Sequence, residues 1–170
     1  MNRRWFGSVV AFGVFVADQT AKLAVLTNSG VSAHNSAPVL PFLDLALRWN
    51  PGISFSLFVQ HSTAGHLALL GLTIAAVTLF IWWLSNCRTI LAAAGLGAII
   101  GGAVGNALDR LVHGAVVDFL DLHPFSRHLF VFNLADAAIN IGVALLVIDL
   151  MFGSRGADGG MPAASHRAEK

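Results

Sequence analysis

Four runs of apolar residues, at about 5–26, 67–84, 90–112 and 129–152, alternate with polar clusters along the chain. Each is close to the roughly 20 residues a helix needs to cross a bilayer, so the pattern predicts four membrane-spanning helices. Only residues 85–89 separate the second run from the third, which makes those two helices antiparallel neighbours. The longer connections are patterned too. Leu43, Leu45, Leu47 and Trp49 alternate with Phe42, Asp44, Ala46 and Arg48, the period of a strand with one apolar face. Asn50-Pro51-Gly52 supplies a turn, and the apolar run from Ile53 toward Val59 reads as a half-helix at the interface. In the second connection, residues 115–120 embed Asp118 in a hydrophobic stretch. Residues 1–153 form the expected membrane unit, and 154–170, rich in Gly, Ala and Ser, read as a disordered tail.

Composition agrees with a bilayer protein. Of 170 residues, 56% are hydrophobic and 11% charged, against roughly 25% charge in a soluble domain; mean hydropathy is +0.73. A net charge of +1 gives no basic field for nucleic acid. The single cysteine, Cys87, excludes an intrachain disulfide and any multi-cysteine metal site. His61 and His66 lie outside any His-Glu-x-x-His pattern and read as interfacial histidines, so neither metal nor cofactor is expected.

Arg3 and Arg4 before an apolar run, with Val31-Ser32-Ala33 beyond it, resemble a secretory signal, but Asp18 and Lys22 inside that run argue for a retained span. With four spans, both termini share a side with Arg88. That side carries Arg3, Arg4, Arg88, Arg155, Arg167 and Lys170, and the other carries Arg48 and Arg127. The positive-inside rule then makes both termini cytoplasmic and the two longer connections extracytoplasmic.

Depth follows from orientation. Asp18 lies about 12 Å below the outer end of the first helix. Asn106, Asp109 and Arg110 fall at the outer tip of the third, and Asn133 and Asp136 in the first two turns of the fourth. Three helices thus bring carboxylates to one depth, although each charge in hydrocarbon costs at least about 2.5 kcal/mol. The spacings Gly102, Asn106, Asp109 and Asn133, Asp136, Asn140 each form one helical stripe facing the bundle, and Gly97, Gly101 and Gly105 form a track for close helix approach.

Asp18 has Lys22 one turn on, and Asp109 has Arg110 beside it and Asn106 one turn back, so these two also fit a polar cluster that ties helices together. Asp118 and Asp136 have no local cation. Two such carboxylates at a wet–dry boundary repel when both ionise and come to share a proton, the arrangement for general acid–base hydrolysis. A proton- or ion-coupled carrier also buries Asp and Asn, with Asp149 as its one residue toward the other side. A Ser54–Lys22 hydrolase and a tetraspan scaffold complete the alternatives.

Asp18-Gln19-Thr20-Ala21-Lys22, Asn50-Pro51-Gly52-Ile53-Ser54-Phe55, the segment 101–110 ending Asn106-Ala107-Leu108-Asp109-Arg110, Val116-Val117-Asp118-Phe119 and Phe132-Asn133-Leu134-Ala135-Asp136 together resemble the ordered motifs of lipoprotein signal peptidase, signal peptidase II. The resemblance spans residues 18–139. It implies an aspartic endopeptidase of the bacterial inner membrane that cuts prolipoproteins before a diacylglyceryl-modified cysteine. It also implies Asp118 and Asp136 as catalytic dyad; Asn50, Gly52, Asn106, Asp109, Arg110 and Asn133 in support and substrate binding; and Asp18 with Lys22 as structural. The fold so implied is an all-α membrane protein of four helices with a small extracytoplasmic β-cradle and a flap. Its partners would be prolipoproteins and membrane lipid, and a monomer is expected.

Overall fold

The computed structural model describes residues 2–27, 30–32, 35–52, 63–124 and 129–152. Four helices, α1 (Arg3–Thr27), α2 (Thr63–Asn86), α3 (Ile90–His113) and α4 (Leu134–Phe152), are each long and apolar enough to cross a membrane. Four strands, β1 (Ala37–Leu40), β2 (Leu43–Asn50), β3 (Val116–Leu122) and β4 (Phe130–Phe132), form one antiparallel sheet in the order β1-β2-β3-β4.

Helix α3 is the axis of the bundle and packs against the other three helices. Its sequence explains why. Thr89 caps its first turn by accepting the Ala92 N–H at 3.0 Å, and Gly114, at φ 72°, ends it in a left-handed conformation that donates back to Arg110 O. Between the caps, glycines line two faces. A Cβ at Gly97 or Gly101 would collide with the carbonyls of Gly7 and Ala11 in α1, and one at Gly102 or Gly95 with those of Ala135 and Gly142 in α4. The expected small-residue track therefore meets α1, and a second track meets α4. Leu84, Ala93, Leu96 and Ile100 form the buried apolar centre between α2 and α3.

The sheet closes the opposite end. Val25, Val31 and Phe119 make a second apolar cluster under it, with Leu45, Leu47 and Leu120 packed around. The expected strand over 42–49 is observed as β2, but its alternation is interrupted. Leu45 pairs with Leu120 and Arg48 with Asp118, so β2 carries one extra residue between these two pairs. That bulge places Arg48, not Leu47, opposite Asp118, and leaves Trp49 half-exposed against the ring of His113.

Two further boundaries differ from expectation. The stretch around Asp118 is a full strand, and residues 129–133 are not helical: Phe130 to Phe132 pair with β3, so the last helix begins at Leu134. An apolar run alone does not separate strand from helix, and here β3 provides the partner. The run from Ile53 toward Val59, the flap, Ser54, His61, Arg127 and the tail 154–170 lie outside the described residues, as does the side chain of His66.

Candidate active site

The N-terminus of α4 is the centre of the site. Asn133 is its cap: its Oδ1 accepts the Asp136 N–H at 2.9 Å. The neighbouring donor, Ala135 N–H, is taken at 2.9 Å by Asp18 Oδ1 from α1. Two of the four free donors of the first turn are thereby satisfied, one of them by a carboxylate placed at the positive end of the helix dipole.

Asp18 is fully buried and pairs with Lys22 Nζ at 2.7 Å. The same ammonium lies 2.7 Å from Asp109 Oδ2 and donates to Asn106 Oδ1 at 3.1 Å. Asp109 is therefore compensated from α1, not by Arg110. Adjacent residues on a helix point about 100° apart, and Arg110 turns instead to the carbonyls of Gly52, at 2.7 Å, and Asn106, at 3.2 Å. Asp109 Oδ2 also accepts the Val117 N–H at 3.1 Å, which fixes the start of β3. Gln19, not singled out from sequence, donates to Asp18 Oδ2, Asp109 Oδ1 and Gly105 O at 3.2, 3.2 and 3.3 Å. Its signal was present: an amide in an apolar span, one position from a buried acid, needs partners as the charges do.

Above this layer sit Asp118 and Asp136. Asp118 Oδ1 accepts from Asn133 Nδ2 at 2.7 Å and Oδ2 from Asn50 Nδ2 at 3.0 Å. Asp136 Oδ1 accepts from Asn106 Nδ2 at 2.8 Å. Asn133 Nδ2 also lies within hydrogen-bond reach of Asn106 Oδ1 and Val117 O. The amides thus connect both carboxylates to each other and to Lys22. Burial pushes Asp118 up to about 6, raised further by the negative charge of Asp136 and opposed by the bonds from Asn50 and Asn133. Asn50 also receives the Gly52 N–H at 3.0 Å, so Asn50 and Arg110 hold the two peptide groups that flank the Gly52 Cα.

All ten residues singled out from sequence, from Asp18 to Asp136, meet in this one network. Asn140 does not continue the stripe inward; it is exposed and bonds back to Asp136 O at 2.9 Å. Arg48, beside Asp118 through the bulge, had no sequence signal. Two recesses border the network, one of them lined by Asp118. One of about 350 Å³ is lined by Arg48, Asn50, Asp118, Phe130 and Val131 on the sheet side. The other, of about 170 Å³, is lined by Leu69, Thr73, Ala103, Asn106, Arg110 and Ile139 between α2, α3 and α4. Every buried polar side chain among the described residues lies toward the sheet end, so no buried relay leads to Asp149. Among the described residues no cluster of three or more His, Cys, Asp or Glu suits a metal ion.

A family model described as Signal peptidase (SPase) II matches residues 10–152. Among curated proteins, the chain is 46% identical over 160 residues to a lipoprotein signal peptidase of Methylocella silvestris, covering 94% of each chain. It is 45% identical over 149 residues to one of Beijerinckia indica, covering 88% of this chain and 89% of the other. Two solved structures of bacterial membrane enzymes, obtained by the in meso method at 2.3 and 1.9 Å, share the fold. Their TM-scores are 0.77 and 0.73 at 24% and 26% identity, with 92% and 86% of this chain covered, and 93% and 92% of theirs.

Proposed function

Because the chain belongs to the signal peptidase II family, hydrolases that mature lipoproteins, we propose that it cleaves prolipoproteins on the N-terminal side of a diacylglyceryl-modified cysteine, using Asp118 and Asp136 as an aspartic dyad. The observation that carries this reading is the position of Asn133. Its amide holds Asp118 on β3 while its carbonyl oxygen fixes the backbone of Asp136 at the start of α4, so one residue sets both carboxylates.

The chemistry follows from their shared proton. The ionised carboxylate takes a proton from water, and the resulting hydroxide attacks the scissile carbonyl carbon. The protonated partner meanwhile donates to the carbonyl oxygen. The tetrahedral diol collapses as the proton taken from water passes to the leaving nitrogen and the C–N bond breaks, while one diol hydroxyl returns its proton to the carboxylate that had donated, so that one carboxyl again holds a proton. A pKa of about 6 keeps Asp118 within reach of both states near neutrality. Arg110 Nε, buried and without a partner among the described residues, is a donor available to a substrate carbonyl. A serine–lysine mechanism is disfavoured because the Lys22 ammonium is engaged by the carboxylates of Asp18 and Asp109, each at 2.7 Å.

In this reading the protein is a multi-pass protein of the bacterial inner membrane, with both termini cytoplasmic and the dyad at the outer leaflet, where the sheet is the cradle. A lipidated cysteine sits at that height, and its acyl chains contribute about 0.8 kcal/mol per buried methylene. The test is one prolipoprotein peptide prepared with and without diacylglycerol on its cysteine, incubated with purified protein in the same detergent. The lipidated peptide should be cut before the cysteine at a rate orders of magnitude higher; equal rates would remove the lipoprotein specificity.

A further inference from the structure

The end of the bundle away from the sheet is built differently from the rest of the surface. There the first turn of α1 meets the α2–α3 turn around a recess of about 430 Å³ lined by Asn2, Arg3, Arg4, Ser85, Asn86 and Cys87. Asn86 and Cys87 also belong to a second recess of about 470 Å³, where Arg88 stands over an apolar wall of Trp83, Val143, Leu146, Val147 and Leu150. The two therefore adjoin at Asn86 and Cys87: a polar, arginine-rimmed chamber lies beside an apolar groove between α2, α3 and α4.

None of the three arginines has an ion-pair partner among the described residues, and all are exposed. The polar chamber has no acidic residue in its described lining, and the groove has one, Asp149. Three positive charges against one negative leave the site with an excess of positive charge at the rim of a spanning bundle. Polar donors above and a hydrocarbon slot below match one molecule with a phosphate at its head and a chain at its tail. We propose that this paired recess binds an anionic phospholipid, its phosphate among Arg3, Arg4 and Arg88 and one acyl chain along Trp83, Leu146 and Val147. Basic pockets between membrane helices hold such headgroups, each arginine contributing about fivefold in affinity. The site lies at the opposite end from Asp118 and Asp136 and does not depend on the peptidase reading.

The test uses the full-length protein in detergent, titrated with phosphatidylglycerol or phosphatidylcholine of matched chains and read by native mass spectrometry. The protein should retain phosphatidylglycerol at least about tenfold more tightly. Substituting Arg3→Gln, Arg4→Gln and Arg88→Gln together should abolish the preference, whereas Arg→Lys at the same three positions should keep most of it. Unchanged helical circular dichroism and melting temperature in both variants report that they fold. Val147→Trp, which fills the groove and leaves the arginines, should weaken phosphatidylglycerol while leaving binding of glycerol phosphate unaltered. Equal retention of the two lipids by the unmodified protein overturns the proposal. So does a preference that survives loss of all three arginines, or glycerol phosphate competing as well as the lipid.

Discussion

Asp18 Oδ1 accepts the backbone N–H of Ala135 at 2.9 Å, a hydrogen bond between residues 117 positions apart that joins the first membrane helix to the first turn of the last. Its other oxygen binds Lys22. The carboxylate therefore holds the position of α4, and with it Asp136.

Asp18→Asn should accordingly act on stability. The amide oxygen can still accept from Ala135, but Lys22 loses one of its two buried counter-ions, at a cost of about 3 kcal/mol. A clear drop in melting temperature in detergent is expected, with turnover per folded molecule reduced far less.

Asp118→Asn and Asp136→Asn should each lower turnover by at least about a thousandfold, since neither amide can share the proton that the reaction moves. Circular dichroism should stay at the wild-type level. Substantial cleavage by either variant would remove that residue from the dyad.

Asp118 also predicts a pH effect on stability. Its folded pKa, about 6, is raised above the unfolded value of 3.8, so the folded state binds the proton more tightly. Its contribution is fully present below about pH 3.8 and is lost as pH rises through 6, a difference of about 2 to 3 kcal/mol. Melting temperatures measured from pH 4 to 7 should fall more steeply with pH in the wild type than in Asp118→Asn. Parallel profiles would contradict the raised value.

Glycine substitutions separate contact from composition. In Gly101→Ala the new methyl meets the Ala11 carbonyl and the Val14 side chain, whereas at Gly13 nothing lies within 4 Å of it. Gly101→Ala should cost about 2 to 3 kcal/mol and Gly13→Ala nothing, read as melting temperatures of the two variants side by side.

Cys87, in the turn between α2 and α3, reports orientation. A membrane-impermeant maleimide should label it in inverted vesicles and not in spheroplasts, if Arg3, Arg4 and Arg88 mark the cytoplasmic side. The reverse labelling would put Asp118 and Asp136 on the cytoplasmic face.

What the sequence disclosed follows from which signals are local. The four spans and the residues of the polar network were legible because hydrocarbon makes every Asp, Asn and Lys inside a span conspicuous. The stripe spacing correctly turned Asn106 and Asp109 inward, since helix geometry is fixed by position. Partnership was less legible. Arg110, adjacent to Asp109, is not its counter-ion, because neighbours on a helix diverge and Lys22 arrives from α1. The strand identity of Phe130 to Phe132 and the placement of Arg48 opposite Asp118 depend on pairing with β3 and on one bulged residue, both non-local. Asn133 was legible as a polar residue at the right depth, but its role as cap emerged only when the last helix proved to start at Leu134 and not at 129.

The bond from Asp18 to Ala135 also sets an order of events during synthesis. Helix α1 is made first and α4 last, so Asp18 and Lys22 are in the bilayer before the turn that completes their surroundings exists. Until α4 inserts, Asp118 has neither its partner Asp136 nor the amide of Asn133 that holds it. The network around Asp118 and Asp136 is therefore complete only once the final helix has docked onto the first.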